Sequence, residues 1–250
     1  MRKNWRTQAS KNWPLLTEEN SKTQKGEKLG YLTGILYLAP SDESGVMNVC
    51  PMASPGCKAG CLFTAGRAQF TPDIIKGRIR KTRYLYNDRA RFVAQLHKNI
   101  QKLVKRAAKL GLIPAVRING TSDLPQLALQ LATDYPDVQF YDYTKIPRPY
   151  DRIRANYHLT FSLSENNLPA ALDALAHGVN VAVVFNVKRG HDLPTHWQGY
   201  TVIDGDMHDL RFLDKIPQGS ASPVIVGLRA KGKAKKDSFG FVQIAQIGAL

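Results

Sequence analysis

The sequence predicts an α/β fold built on a parallel sheet, arranged as a partial or complete parallel (β/α) barrel. An open doubly wound sheet is the alternative. Two observations predict it. Short apolar segments rich in β-branched and aromatic residues recur along the chain, and helical patterns separate most of them. That alternation is the signature of parallel βα units. At 250 residues with 43% apolar content, the chain is long enough for one large core.

Each element has a local reason. Residues 1–30 are polar, with Lys22, Lys25 and Lys28 interspersed, and read as an irregular N-terminal arm laid over a single domain at 31–250. Residues 31–38 are β-rich and run into Ala39-Pro40, a buried strand. A loop of Ser, Gly and Pro follows. Thr71-Pro72-Asp73 is a helix start, with a capping threonine, proline at the first position and an acid in the first turn. The helical pattern runs from Asp73 to about Leu110, breaks near Asn87-Asp88, and stops at Gly111. Strands are expected at 113–118, 138–143, 157–162, 180–185, 201–203 and 223–228. Helices are expected at 124–135 and 168–177, the latter stopped by Gly178. A lysine-rich stretch at 231–236 is the one biased segment.

The net charge is +15. The excess clusters at 76–91, 98–109, 148–154 and 229–236, which points to contact with nucleic acid. No apolar run approaches the roughly 18 residues that span a bilayer. The basic N-terminus around Trp5 lacks the apolar stretch of a signal peptide. A cytoplasmic protein without membrane contact is expected.

All three cysteines, Cys50, Cys57 and Cys61, fall within twelve residues. An odd number does not make a disulfide framework. The clustering points to a metal or iron–sulfur site just after the first strand. Zinc prefers four ligands, so one of His97, His158, His177, His191, His196 or His208 would have to complete it. A 4Fe–4S cluster held by three thiolates keeps one iron open to a small molecule. Glycines and small residues between the cysteines let the backbone wrap closely. Free thiols without metal are the third option.

In parallel β/α folds the active site gathers at the C-terminal ends of the strands. These ends are polar here: Asn119-Gly120-Thr121-Ser122-Asp123, then Tyr141-Asp142-Tyr143-Thr144-Lys145, then Ser162, Ser164 and Glu165, then Asn186, then Asp204-Gly205-Asp206 with Asp209. Any one has a plainer role. Asp123, Glu165 or Asn166 could cap the helix that follows, and Tyr141 and Tyr143, sharing a strand face, could pack inside the barrel. As a set they read as a shared polar site.

The three-cysteine loop after a first strand, followed by βα units, resembles the radical S-adenosylmethionine (SAM) superfamily, whose usual loop is CxxxCxxC; here the spacing is Cys-x6-Cys-x3-Cys. The stretches from Cys50-Pro51 to Cys61, Arg78-Ile79-Arg80-Lys81-Thr82, Arg117 to Asp123, Tyr141 to Lys145 and Asp204-Gly205-Asp206 are similar to a phage and plasmid family of gene-product-88-like proteins. The first resemblance implies Cys50, Cys57 and Cys61 on a 4Fe–4S cluster with SAM on the fourth iron. It implies Asn119, Gly120, Thr121, Ser122 and Asp123, with Ser162, Ser164 and Glu165, around SAM, and an electron-donating reductase as partner. Tyr141, Asp142 and Lys145 would then face a nucleic-acid or nucleotide substrate, since an aromatic beside a lysine suits a stacked base and a phosphate. Two other readings stand beside it. One is a nucleic-acid-binding protein with a structural zinc. The other is a magnesium-dependent nuclease using Asp123, Asp142, Asp204, Asp206 and Asp209.

Overall fold

The computed structural model describes residues 13–64, 71–214 and 223–245. The basic start around Trp5 lies outside them. The chain forms one mostly parallel sheet. In chain order the elements are β1 (Leu16–Thr17), α1 (Ser21–Glu27), β2 (Tyr31–Leu36), α2 (Pro55–Ala59), α3 (Pro72–Asn87), α4 (Arg89–Leu110), β3 (Ile113–Arg117), α5 (Pro125–Asp134), β4 (Gln139–Thr144), β5 (Tyr157–Ser162), α6 (Leu168–Ala176), β6 (Val181–Phe185), β7 (His196–Trp197), β8 (Tyr200–Asp204) and β9 (Ile225–Arg229).

The hydrogen-bonded order is β1-β2-β3-β4-β5-β6-β9-β8-β7. Strands β2 to β6, then β9 and β8, are parallel; only β1 and β7 run antiparallel to their neighbours. From β2 to β6 each strand lies beside the one before it, so their C-terminal ends share one edge of the sheet. The sheet is open, with β1 and β7 at its margins.

The long helical stretch divides where the sequence indicated. Asp88 lies between α3 and α4, and its carboxylate accepts from the Arg91 amide to cap α4. Gly111 ends α4 with φ 65°, a conformation that glycine enters without Cβ strain. Thr71 makes no side-chain cap bond, so the start of α3 rests on Pro72 and Asp73 instead.

One correction concerns the expected arm. Residues 13–30 are not an irregular cover. Leu15 and Leu16 are buried in the main core, and β1 pairs along β2. The Leu-Leu pair supplies the apolar anchor, and Leu15 N donates to Asn99 Oδ1 (2.6 Å) on α4.

Helices α4 and α5 cover one face of β2 to β5, burying Phe92, Leu96, Ile100, Leu127 and Leu131 against Leu32, Leu36, Val116 and Phe140. Helix α6 continues this layer over Phe161, Val181 and Val183. The other face is covered differently. Leu210, Phe212 and Leu213, from the segment after β8, pack on Ala115, Tyr141 and Tyr31. Helix α1 lies beside them, its Lys25 Nζ donating to the Asp206 carbonyl (2.6 Å).

A candidate metal centre at the strand ends

The cysteine loop is tied to two later strand ends. Gly120 N donates to Leu36 O (3.0 Å) and Asp123 N to Val49 O (2.8 Å). Thr121 Oγ1 donates to Leu38 O (2.6 Å), and Cys50 Sγ lies 3.7 Å from Thr121 O. Gly120 has to be glycine, because a Cβ there would sit 2.7 Å from both Ile35 Cγ2 and Leu36 O. On the other side, the Glu165 carboxylate reaches the start of α2. Oε1 accepts from Gly56 N (2.6 Å) and Oε2 from Ser54 Oγ (2.7 Å). Ser54 Oγ in turn accepts from Cys57 N (3.2 Å), capping the short helix that carries Cys57.

All three cysteines are outside any disulfide and partly buried. Burial pushes the Cys50 thiol up to about 12, with the neighbouring Cys61 and Cys57 adding to the rise. Burial also raises Cys61, and Cys57 adds to it, while Arg78 pulls it back down. The three thiols therefore sit within electrostatic reach of one another. Among the described residues no three His, Cys, Asp or Glu side chains stand as a ready-made metal-holding group.

The 119–123 segment is knitted inward. Asp142 accepts from Asn119 N (2.7 Å), Asn119 Nδ2 (3.0 Å) and Tyr157 OH (3.2 Å). Asn119 Oδ1 accepts from Ser122 Oγ and Leu124 N. Asp123 accepts from Thr144 Oγ1 (2.9 Å) and Lys145 N (2.8 Å) rather than capping α5. Burial raises Asp142 to about 7, against the pull of Arg117, and raises Asp123 as well. Lys145 Nζ donates to Ser162 Oγ (2.6 Å) and lies 5.5 Å from the Phe241 ring. Ser164 Oγ donates to Asn166 Oδ1 (3.1 Å), and no side chain caps α6 at Asn167.

The structure thus brings together the cysteine loop, 119–123, Lys145, Ser162, Ser164 and Glu165. It separates Asp142 from Tyr141. Successive strand residues face opposite ways, so Asp142 lies under the helices beside Tyr157, while Tyr141 packs edge-on to Phe212 (5.5 Å). Tyr143 shares the Tyr141 face, beneath the Arg117 guanidinium at 4.7 Å. The two tyrosines are interior packing groups.

That inner face holds charged residues that sequence reasoning did not single out as a group. Arg117 pairs with Asp209 at 2.8 Å, both buried. Arg211 is 1% exposed and pairs with Asp214 (3.4 Å) and the His208 carbonyl. Burial, together with Arg211, lowers His158 to about 4, so it is neutral at physiological pH. Arg117 Nε, Arg211 Nε and Nη1, Tyr141 OH and Asp214 Oδ2 have no hydrogen-bond partner among the described residues. An arginine closing an otherwise apolar strand, Ile113–Arg117, is the one sequence signal for this group.

The strand-end aspartates are dispersed and paired. Asp204 and Asp206 hold Arg229 (2.9 and 3.2 Å), Asp206 also holds Lys231, and Asp209 holds Arg117. Among the described residues no helix is long and apolar enough to cross a membrane. No match to the chain is found among curated proteins or among solved structures. A family model, gene product 88, matches residues 13–243, from the edge strand β1 through the whole sheet and both ties of the cysteine loop, and the chain belongs to that family.

Proposed function

We propose that the protein is a radical SAM-like iron–sulfur enzyme of phage or mobile-element origin that acts on a nucleic acid or nucleotide. The observation that carries this reading is the clamping of one three-cysteine loop between two strand ends of a parallel sheet. Glu165 holds one side of the loop and the 119–123 segment the other.

The donor set fits such a cluster. Three thiols share one loop, and burial disfavours an isolated thiolate at Cys50 and Cys61, so a bound cation would relieve both that burial and the repulsion among the thiolates. Three thiolates leave one iron open. A Cβ on Gly60 would come within 3.2 Å of Ala234 Cβ, a close approach of backbone at the loop. Cys50, Cys57 and Cys61 would hold the cluster, which supplies the electron for reductive cleavage of SAM after reduction by a partner reductase. The chain's own residues position the parts. Glu165 and Ser54 fix α2, Asp123 and Asp142 hold the strand ends in register, and Lys145 presents a cation beside Ser162. Phosphate recognition by Lys145 suits that placement.

Iron and sulfide analysis of anaerobically prepared protein, with its visible absorption, tests the reading. A brown protein that forms 5′-deoxyadenosine from SAM on reduction is expected, and Cys57→Ser abolishes both. A colourless protein loaded with zinc overturns it in favour of a zinc-bearing nucleic-acid-binding protein, the reading that the net charge of +15 also supports.

A further inference from the structure

Helix α4 carries seven lysines and arginines in 22 residues and no acid: RARFVAQLHKNIQKLVKRAAKL. Its apolar side faces inward, with Phe92, Leu96, Ile100, Leu103 and Ala107 buried in the core. Its opposite side exposes Lys98, Lys102, Lys105 and Lys109. These positions follow the i, i+4, i+7, i+11 rhythm of one helix face, so the four ammonium groups form a single stripe. At about 1.5 Å per residue the stripe is roughly 16 Å long. Arg91, Ala94, Gln101 and Ala108 are also exposed on α4 and add no negative charge.

A solvated surface helix ordinarily sets Glu against Lys at i, i+4, and like charges at that spacing repel. Here Lys98 faces Lys102, and Lys105 faces Lys109. Of the carboxylates that reach the helix here, Glu18 is taken by Arg106 (2.8 Å) and Asp134 lies against His97 (3.7 Å). None of the four stripe lysines has an ion-pair partner among the described residues. The stripe is a repulsive arrangement that no ion pair among the described residues offsets, and a polyanion outside the chain would offset it.

We infer that the outward face of α4 docks the phosphate backbone of a nucleic-acid duplex, independently of sequence. A membrane surface is the poorer match, because the apolar side of α4 is packed on the core and the helix exposes a single large apolar side chain, Leu110 in its last turn, too little to insert among acyl chains. A duplex offers about one phosphate charge per 1.7 Å of axis, dense enough to engage all four lysines along one stripe. The inference deepens the nucleic-acid part of the proposed function and rests on it, but not on the metal. The stripe holds the polymer by its backbone and leaves the strand-end site to act on a base or an end.

The test measures binding of a short duplex DNA of arbitrary sequence across a salt series. The proteins are the wild type, the quadruple variant K98Q/K102Q/K105Q/K109Q, and the control K233Q/K235Q/K236Q, which removes exposed charge elsewhere. Each phosphate contact contributes about 0.9 to the slope of log K against log salt. The stripe variant is expected to lose about 3.6 from that slope and to bind at least tenfold more weakly at low salt, while the control keeps most of both. An unchanged slope in the stripe variant overturns the inference. So does an equal loss in the control, which would reduce the effect to net charge, or binding of the wild type to phosphatidylserine vesicles but not to duplex. Cys57→Ser separates the two readings. Stripe-dependent binding that survives in this variant upholds the docking face even where the iron–sulfur reading fails.

Discussion

Glu165, just beyond the end of β5, holds Ser54, the cap of the short helix bearing Cys57: its Oε2 accepts from Ser54 Oγ at 2.7 Å while Oε1 takes Gly56 N at 2.6 Å. One carboxylate thus fixes a loop more than a hundred residues away in sequence. A Cβ on Gly56 would lie 2.8 Å from Glu165 Oε2, so the fit requires glycine there.

Glu165→Ala is expected to free the loop without unfolding the sheet. Two hydrogen bonds to a charged acceptor are lost, each contributing about 1.5–3 kcal/mol. Retention of the proposed cluster during dialysis against a chelator should fall well before the urea midpoint does. Glu165→Gln, which can still accept at one oxygen, should lie between the two.

Gly120→Ala should destabilise the domain. Its Cβ would meet Ile35 Cγ2, Leu36 O and Tyr37 Cδ1 at 2.7–2.8 Å, all on or beside the first parallel strand. Overpacking of that kind costs about 1–3 kcal/mol, read as a lower urea midpoint with an unchanged slope.

Removing Asp209 leaves the buried Arg117 guanidinium without its carboxylate. Asp209→Ala should therefore cost about 3–5 kcal/mol, a larger loss than Asp204→Ala on the more exposed Arg229 pair. The double variant Arg117→Met with Asp209→Leu should recover much of it, because a buried pair replaced by apolar groups loses little. Chemical denaturation of the three proteins checks the order.

Asp142 makes stability depend on pH in a defined direction. Its carboxyl is raised from 3.8 to about 7, chiefly by burial, so the native state binds the proton more tightly than the unfolded chain. Stability from this group is full below the unfolded value, falls as pH rises through the window from about 4 to 7, and is gone above it. Asp142→Asn keeps a neutral side chain in place. Its stability relative to wild type should be more favourable at pH 8 than at pH 5, as urea unfolding at the two pH values will report.

Much of the sheet was legible in the sequence because parallel strands buried on both faces must be short and apolar, and helices between them must start and stop. The 113–118, 138–143, 157–162 and 180–185 segments all contain strands within a residue or two of those bounds. The break at Asp88 and the stop at Gly111 follow from capping chemistry. Strand β1 is two residues long, too short for any periodicity to mark, and it is a strand only because β2 offers an open edge. The roles of Glu165 and Asp142 were hidden for the same reason: their partners, Ser54 and Asn119, are distant in sequence.

By itself the sequence determined that strands and helices alternate, that three thiols lie on one loop after the first long strand, and that α4 bears basic residues without acids. Those are properties of spacing and composition, set by local chemistry. Only the tertiary structure decided that Tyr141 and Asp142 face opposite ways in the fold, that Arg117 and Asp209 meet beneath the segment after β8, and that Glu165 clasps the cysteine loop. Such pairings depend on which strands lie side by side, and strand order is settled by the packing of the whole core.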